Sequence, residues 1–105
     1  MRKERRAFAR VKVDLPATLY IFEGEISYSG AILDLSQGGC YFPLDHDVTI
    51  GEQCEVIVTV GEGANAETLH IKGQIVRTDG NGAGIRFFDT SAGESGKLYS
   101  LLAKQ

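Results

Sequence analysis

Apolar and polar residues alternate along most of the chain, which is the pattern of half-buried β-strands. The first alternating run covers residues 11–21, and Pro16 within it indicates a bulge or an edge position. Further apolar or alternating runs follow at 26–35, 40–44, 54–60, 69–78 and 84–88. Short strands separated by turn residues at this spacing predict an antiparallel barrel or sandwich.

Turn and helix signals complete this outline. Ser36-Gln37-Gly38-Gly39 is predicted to form a turn, and Asp79-Gly80-Asn81-Gly82 is a strong hairpin signal. Helical character is predicted only at the C-terminal end, where Ser91 and Glu94 fit a capping box. Leu98, Leu101 and Leu102 follow as a narrow apolar stripe, so we expect a short helix that packs against the barrel.

Basic residues are concentrated at the N-terminus. Residues 1–12 contain six Lys or Arg and one acid, whereas the rest of the chain contains five bases and thirteen acids. Such segregation favours an anionic partner at the basic segment. It disfavours a protein that lies broadly along nucleic acid, because the acidic body would repel phosphates. With 105 residues we expect one domain, a basic arm (residues 1–10) attached to a barrel with its helix (residues 11–105).

The remaining composition narrows the class of protein. No signal peptide or membrane span is predicted, so we expect a cytoplasmic protein. Cys40 and Cys54 match neither a CxxC redox pair nor a zinc site, and we expect two buried or half-buried thiols. His46 and His70 are isolated, so no metal site is predicted. We see no nucleophile beside a general base and expect no enzyme activity, hence no catalytic residue.

The basic arm carries the first candidate constellation, Arg5, Arg6 and Arg10. A guanidinium grips phosphate through two parallel hydrogen bonds and also stacks on aromatic planes. The same fork matches the O6/N7 edge of guanine. Several arginines on one arm can therefore clamp a guanine nucleotide; the alternative is a solvated basic tail.

The second candidate constellation runs from Asp34 to Gly39. The carboxylate of Asp34 can accept hydrogen bonds from the N1–H and N2–H edge of guanine. The hydroxyl of Ser36 points in the same direction if the segment is extended. Gly38 and Gly39 would let a planar ligand sit against the backbone. The alternative is a local turn in which Asp34 and Ser36 satisfy neighbouring amides.

Together the two constellations resemble the signature of the PilZ family, RxxxR followed by [D/N]xSxxG. The chain has Arg6-x-x-x-Arg10 and Asp34-x-Ser36-x-x-Gly39 in that order. Gly73-x-Ile75-Val76-Arg77 and Gly84-Ile85-Arg86-Phe87 also resemble the family's late strands, so the likeness covers nearly the whole chain. The resemblance implies a six-stranded antiparallel barrel with a C-terminal helix that binds cyclic di-GMP.

The resemblance also implies residue roles. Arg6 and Arg10 would contact phosphates and guanine edges, Asp34 and Ser36 would hydrogen-bond a guanine, and Gly39 would keep the backbone close. In similar proteins an arginine at the place of Arg5 accompanies an intercalated dimer of the ligand. Apart from the resemblance, Arg77 and Arg86 are either solvated strand positions or additional ligand contacts, and strand alternation alone does not decide between the two.

These roles predict a receptor whose arm changes conformation on binding and which relays the signal to another, unidentified protein. Two alternatives remain. One is a PilZ-like barrel that acts by protein contacts without a ligand. The other is a nucleic-acid-binding barrel, which is disfavoured by the acidic body and by the lack of interleaved surface aromatics.

Overall fold

Six strands form a closed antiparallel barrel in the computed structural model, which describes residues 11–88. The strands are β1 (Val11–Ile21), β2 (Ile26–Leu35), β3 (Gly39–Pro43), β4 (Gln53–Val60), β5 (Glu67–Thr78) and β6 (Gly82–Phe87). Around the barrel they follow the order β1-β2-β3-β6-β5-β4. The predicted six-stranded antiparallel barrel is confirmed. The arm and the predicted C-terminal helix lie outside the described residues.

The barrel interior is filled by the apolar positions of the alternating pattern. Val56, Val58 and Ile71 are fully buried on β4 and β5, while Ile32 and Phe42 are fully buried on β2 and β3. Burial of each such side chain stabilises the fold by roughly 1.5–3 kcal/mol. Alternation therefore fixes which face of every strand points inward, and the residues between the core positions form the outer face.

Two irregularities in β1 account for its proline. The register between β1 and β2 shifts between Lys12 and Leu15. The ladder between β1 and β4 starts only at Ala17, so Pro16 lies just outside it. Because proline has no N–H to donate, it is tolerated where the ladder is already interrupted. The bulge thus lies just before Pro16, which itself pairs with Ala31 of β2, while on the side of β4 Pro16 lies outside the ladder, as the expected edge position would.

Glycines account for two wrong strand boundaries. The turn signals predict Gly39 and Gly82 to lie in turns, but Gly39 begins β3 and Gly82 begins β6. Gly39 pairs with Arg86, and a Cβ built on it would overlap the backbone carbonyl oxygen of Ile85. Glycine here allows close approach of two strands, a use that a turn signal cannot distinguish from a true turn.

Both cysteines are buried thiols, as expected, Cys40 on β3 and Cys54 on β4. Burial, with the nearby charge of Glu52, raises the pKa of Cys54 from its ordinary value of 9.0 to about 12. A thiol with such a pKa stays protonated at neutral pH and is a poor nucleophile. Within residues 11–88 no helix is long and apolar enough to cross a membrane.

Candidate functional site

A row of directly paired residues crosses the outer face of the barrel. It runs from Lys12 on β1 through Asp34, Tyr41 and Gly84 to Arg77 on β5. Paired residues on neighbouring strands direct their side chains to the same face of a sheet. Neighbouring positions on β2, β3 and β6 are buried in the core, namely Leu35, Cys40, Phe42, Ala83 and Ile85. Asp34 therefore faces outward, and Arg77, which is exposed and pairs with Gly84, shares that outer face.

The hydroxyl of Ser36 is built into a local turn. Ser36 follows the end of β2, and its Oγ accepts hydrogen bonds from the amides of Gly38 (3.1 Å) and Gly39 (3.2 Å). It also donates to the carbonyl oxygen of Gly39 at 3.2 Å, and the Ser36 amide donates to the same oxygen at 2.9 Å. Ser36 is the buried polar residue of the described chain, with 6% of its surface exposed.

These bonds use the full capacity of the hydroxyl, which has one donor and two acceptor lone pairs. A direct bond from Ser36 to a guanine would therefore have to replace one of them. The observed geometry matches the alternative of a local turn for Ser36. A guanine contact by Ser36 stays a prediction.

The turn is fixed to β6 through its glycines. The carbonyl oxygen of Gly38 accepts a hydrogen bond from the Phe87 amide at 2.9 Å. The tight contact of Gly39 with Ile85 lies one residue further along. Strand packing alone therefore requires glycine at position 39, and the predicted close approach of a ligand there stays a prediction.

Arg77 and Arg86 lie on the same outer face as Asp34. Arg86 pairs with Gly39 and Gln74, and it is two residues beyond Gly84, which pairs with Arg77. Both arginines are exposed. The structure thus brings the two late-strand arginines to the side of the barrel that carries the Asp34 motif.

A polar cluster that no sequence pattern predicted joins two members of this row, Tyr41 and Arg77, to Asp79. Tyr41 donates a hydrogen bond to Asp79, with Oη 2.8 Å from Oδ1 and 3.0 Å from Oδ2. The guanidinium carbon of Arg77 lies 5.8 Å from the centroid of the Tyr41 ring, within the range of a cation–π contact. Tyr41 was counted only as part of an apolar strand and Asp79 only as a turn residue, so no sequence signal joined them.

Hydrogen bonding shifts the pKa of both partners in this cluster. The backbone amide of Asn81 and then the hydroxyl of Tyr41 stabilise the Asp79 carboxylate and lower its pKa. Partial burial and the bond to Asp79 raise the pKa of Tyr41. At neutral pH the cluster therefore contains a carboxylate, a neutral phenol and a guanidinium.

The arm residues Arg5, Arg6 and Arg10 lie outside the described residues, so the structure does not test their roles. It does describe where the arm joins the barrel. β1 begins at Val11, which pairs with Leu35, between Asp34 and Ser36 in the second motif. The attachment point of the first motif thus lies beside the second.

Comparisons with known proteins agree with this architecture. Residues 4–104 match the model of the protein family described as PilZ domain. Among solved structures, the chain is similar to the inhibitor of motility MotI/DgrA of Bacillus subtilis, with a TM-score of 0.79 and 17% identity over 99% of this chain. The PilZ domain of YcgR from Escherichia coli, solved with c-di-GMP, gives a TM-score of 0.77 and 15% identity, covering 96% of this chain and 91% of that one.

A third solved structure is the PilZ domain of CeSA from a cellulose-synthesizing bacterium. It gives a TM-score of 0.73 and 15% identity, covering 91% of this chain and 96% of that one. The chain spans only 52% of the length of MotI/DgrA. No curated protein matches the sequence. Similarity at these identities establishes the fold.

Proposed function

The chain belongs to the PilZ domain family, and on that basis we propose that it is a receptor for cyclic di-GMP. The observation that carries the proposal is the adjacency of the two motifs. Val11, next in sequence to Arg10, pairs with Leu35, which lies between Asp34 and Ser36. An arm that starts at this point can present its guanidinium groups to a ligand held at Asp34.

The charge distribution supports a model in which the arm binds the phosphates of the ligand and the barrel binds a guanine. Residues 11–88 contain four Lys or Arg and eleven acids, so the barrel offers few cations for two phosphates. Arg6 and Arg10 supply them, and charge-assisted bonds from guanidinium to phosphate are about twice as strong as neutral ones. Asp34 accepts the N1–H and N2–H edge of a guanine, a hydrogen-bond pattern that adenine does not present.

We propose that the turn of Ser36, Gly38 and Gly39 holds the backbone next to Asp34 in one conformation. Their hydrogen bonds fix the turn after Asp34 to the start of β3 and to Phe87 of β6. A carboxylate held on a rigid neighbouring strand loses less conformational entropy when it binds a base. We therefore assign Ser36 first to holding this turn, with a direct guanine contact as the further prediction.

We propose that the arm is also the element that changes on binding. The free energy of its phosphate contacts offsets the entropy of fixing the arm in one conformation. The changed surface would be read by a protein partner in the cytoplasm. Hydrogen exchange tests this step: amides of residues 4–10 are expected to gain protection when cyclic di-GMP binds. Unchanged exchange there would rule out the arm as the switch.

Calorimetric titration of cyclic di-GMP tests the receptor function itself. Saturable binding is expected for the wild-type protein and not for the Arg6→Ala/Arg10→Ala double variant, with GMP as control ligand. The matched control is Arg2→Ala/Lys3→Ala, which removes the same charge from the arm outside the motif and should keep most of the affinity. Two ligands per chain would support the role of Arg5 in binding an intercalated dimer.

Other outcomes favour the alternatives. Absence of binding at high micromolar ligand would overturn the receptor function and leave a barrel that acts through protein contacts. Equal or tighter, strongly salt-dependent binding of generic oligonucleotides would indicate a nucleic-acid-binding barrel. Turnover of the ligand would contradict the proposal that the protein binds without catalysis.

A further inference from the structure

Two outward-facing glycines of β6 make room for side chains from the strands on either side. A Cβ built on Gly84 would lie 3.1 Å from both Nε and Nη2 of Arg77. A Cβ built on Gly82 would lie 2.6 Å from Oη of Tyr41. The side chains of Arg77, from β5, and of Tyr41, from β3, therefore lie over the backbone of β6. A side chain at either glycine would displace them.

The placement of Arg77 brings its guanidinium towards Asp34. The two residues stand three strands apart in the same row, and adjacent strands are about 4.8 Å apart, so roughly 14 Å separates their backbones. By lying over Gly84, the guanidinium comes about one strand closer, to roughly 10 Å. A dinucleotide seated on Asp34 spans such a distance.

A chain of contacts holds the guanidinium in this position. It lies near the ring of Tyr41, and Tyr41 is held in turn by its hydrogen bonds to Asp79. Asp79 is itself fixed by the Asn81 amide, which donates to Oδ1 at 2.9 Å. An exposed arginine ordinarily samples many rotamers, so these contacts reduce the entropy that it loses when it binds a ligand.

We infer that Arg77, positioned over Gly84 by Tyr41 and Asp79, contacts a guanine base of the bound ligand. This inference rests on the proposed function. A base is favoured over a phosphate because the Asp79 carboxylate lies in the same cluster and would repel a phosphate. The guanidinium fork matches the O6/N7 acceptors of guanine. Asp34 and Arg77 then recognise the ligand from two sides of one surface.

The first experiment measures the affinity for cyclic di-GMP of Arg77→Ala at several salt concentrations. Loss of one bidentate base contact is expected to weaken binding about 5- to 150-fold, because such a contact contributes roughly 1–3 kcal/mol. The dependence of log Kd on log salt should match that of wild type, since no phosphate contact is lost. Lys72→Ala, which removes another exposed cation from β5, is the matched control and should bind like wild type.

The second experiment asks whether Tyr41 acts through Arg77. Tyr41→Phe keeps the ring and removes the bond to Asp79, and it is expected to weaken binding about threefold with an unchanged Tm. In the Arg77→Ala background the same change should have no further effect, which gives a coupled double-mutant cycle. Tyr20→Phe, on β1, is the matched control.

The outcomes separate this inference from the proposed function. If wild type binds cyclic di-GMP and Arg77→Ala binds equally well, the inference is wrong and the receptor function stands. A reduced salt dependence in Arg77→Ala would mean a phosphate contact and also overturn the inference. Additive effects of the Tyr41 and Arg77 variants would show that Tyr41 does not position Arg77. If wild type does not bind at all, the receptor function itself fails.

Discussion

The two walls of the barrel are held together in different ways. In the wall of β1, β4 and β5, strand β4 pairs with β5 along its whole length, from Gln53 to Val60. In the wall of β2, β3 and β6, strands β2 and β3 pair only at Asp34–Tyr41 and Leu35–Cys40. Both walls cover the apolar core, and β3 also pairs with β6 over its whole length. The weak point of the second wall is the junction of β2 and β3, where two residue pairs are supported by the hydrogen-bonded Ser36 turn.

The candidate site lies beside the junction of β2 and β3, which pair at only two positions. Both members of the Asp34–Ser36 motif, the Tyr41–Asp79 cluster and the two outward glycines belong to the second wall or adjoin it. A long ladder satisfies its own backbone groups and leaves little for a ligand to use. We therefore expect changes to the buried core of the first wall to alter stability alone, and changes to the Ser36 turn and the close strand contacts of the second wall to alter stability and binding together.

The largest effect is expected from Ile71→Ala in the first wall. Ile71 is fully buried on β5, so its truncation leaves a cavity and should lower the free energy of unfolding by about 3 kcal/mol. Urea unfolding measures this loss, while the affinity of the folded protein for cyclic di-GMP should be unchanged. Ile50→Ala, at a side chain that is 59% exposed, is the control and should cost less than about 0.5 kcal/mol. A large fall in the affinity of Ile71→Ala for cyclic di-GMP would contradict the expectation that the core of the first wall affects stability alone.

Gly39→Ala in the second wall is expected to combine both effects. Its Cβ would meet the backbone of Ile85, which cannot move aside like a side chain, so we expect a loss of about 2 kcal/mol together with weaker binding. Gly84→Ala is the matched control, because its Cβ meets only the end of the flexible Arg77. It should change unfolding by less than about 1 kcal/mol. Equal stability of the two variants would contradict the packing role of Gly39.

Ser36→Ala sharpens the comparison by removing one hydroxyl. The amides of Gly38 and Gly39 lose their acceptor, and we expect a cost of about 1–2 kcal/mol in urea unfolding. Ser29→Ala, at an exposed position of β2, is the control and should be close to neutral. Unchanged stability with lost binding would instead mean that Ser36 acts by direct contact with guanine.

The sequence predicted the regular parts of the fold better than the site. The bounds of β1 and β2 were correct, because alternation between core and solvent is repeated at every second residue of a strand. The strand positions of Gly39 and Gly82 were predicted wrongly, because the sequence does not distinguish a glycine that allows close approach of two strands from a glycine in a turn.

Within the candidate site, the sequence indicated residue types but not the contacts between them. Asp34 was correctly placed on a strand. The commitment of the Ser36 hydroxyl to Gly38 and Gly39 was only one of two interpretations, since local hydrogen bonds and ligand bonds use the same chemistry. Tyr41 and Asp79 are 38 residues apart in sequence, and their bond depends on the pairing of β3 with β6. No local pattern encodes such a contact.

The smallest expected effect concerns the pH dependence of the first wall through Cys54. Its pKa is about 12 in the folded protein and about 9.0 when exposed. Below pH 9 the thiol is protonated in both states and the burial of the neutral group is fully favourable. Between pH 9 and 12 the unfolded thiol ionises first, so stability falls as pH rises.

Unfolding of wild type and Cys54→Ala, compared at pH 7 to 9.5, isolates this contribution. The variant loses packing at every pH, and the difference between the two proteins should be constant up to about pH 8. It should then shrink by on the order of 0.4 kcal/mol at pH 9, where half of the unfolded thiol is ionised. If the difference in free energy of unfolding between the two proteins stays constant up to pH 9.5, the Cys54 thiol ionises as readily in the folded state as in the unfolded state. The first wall would then not shield Cys54 from solvent.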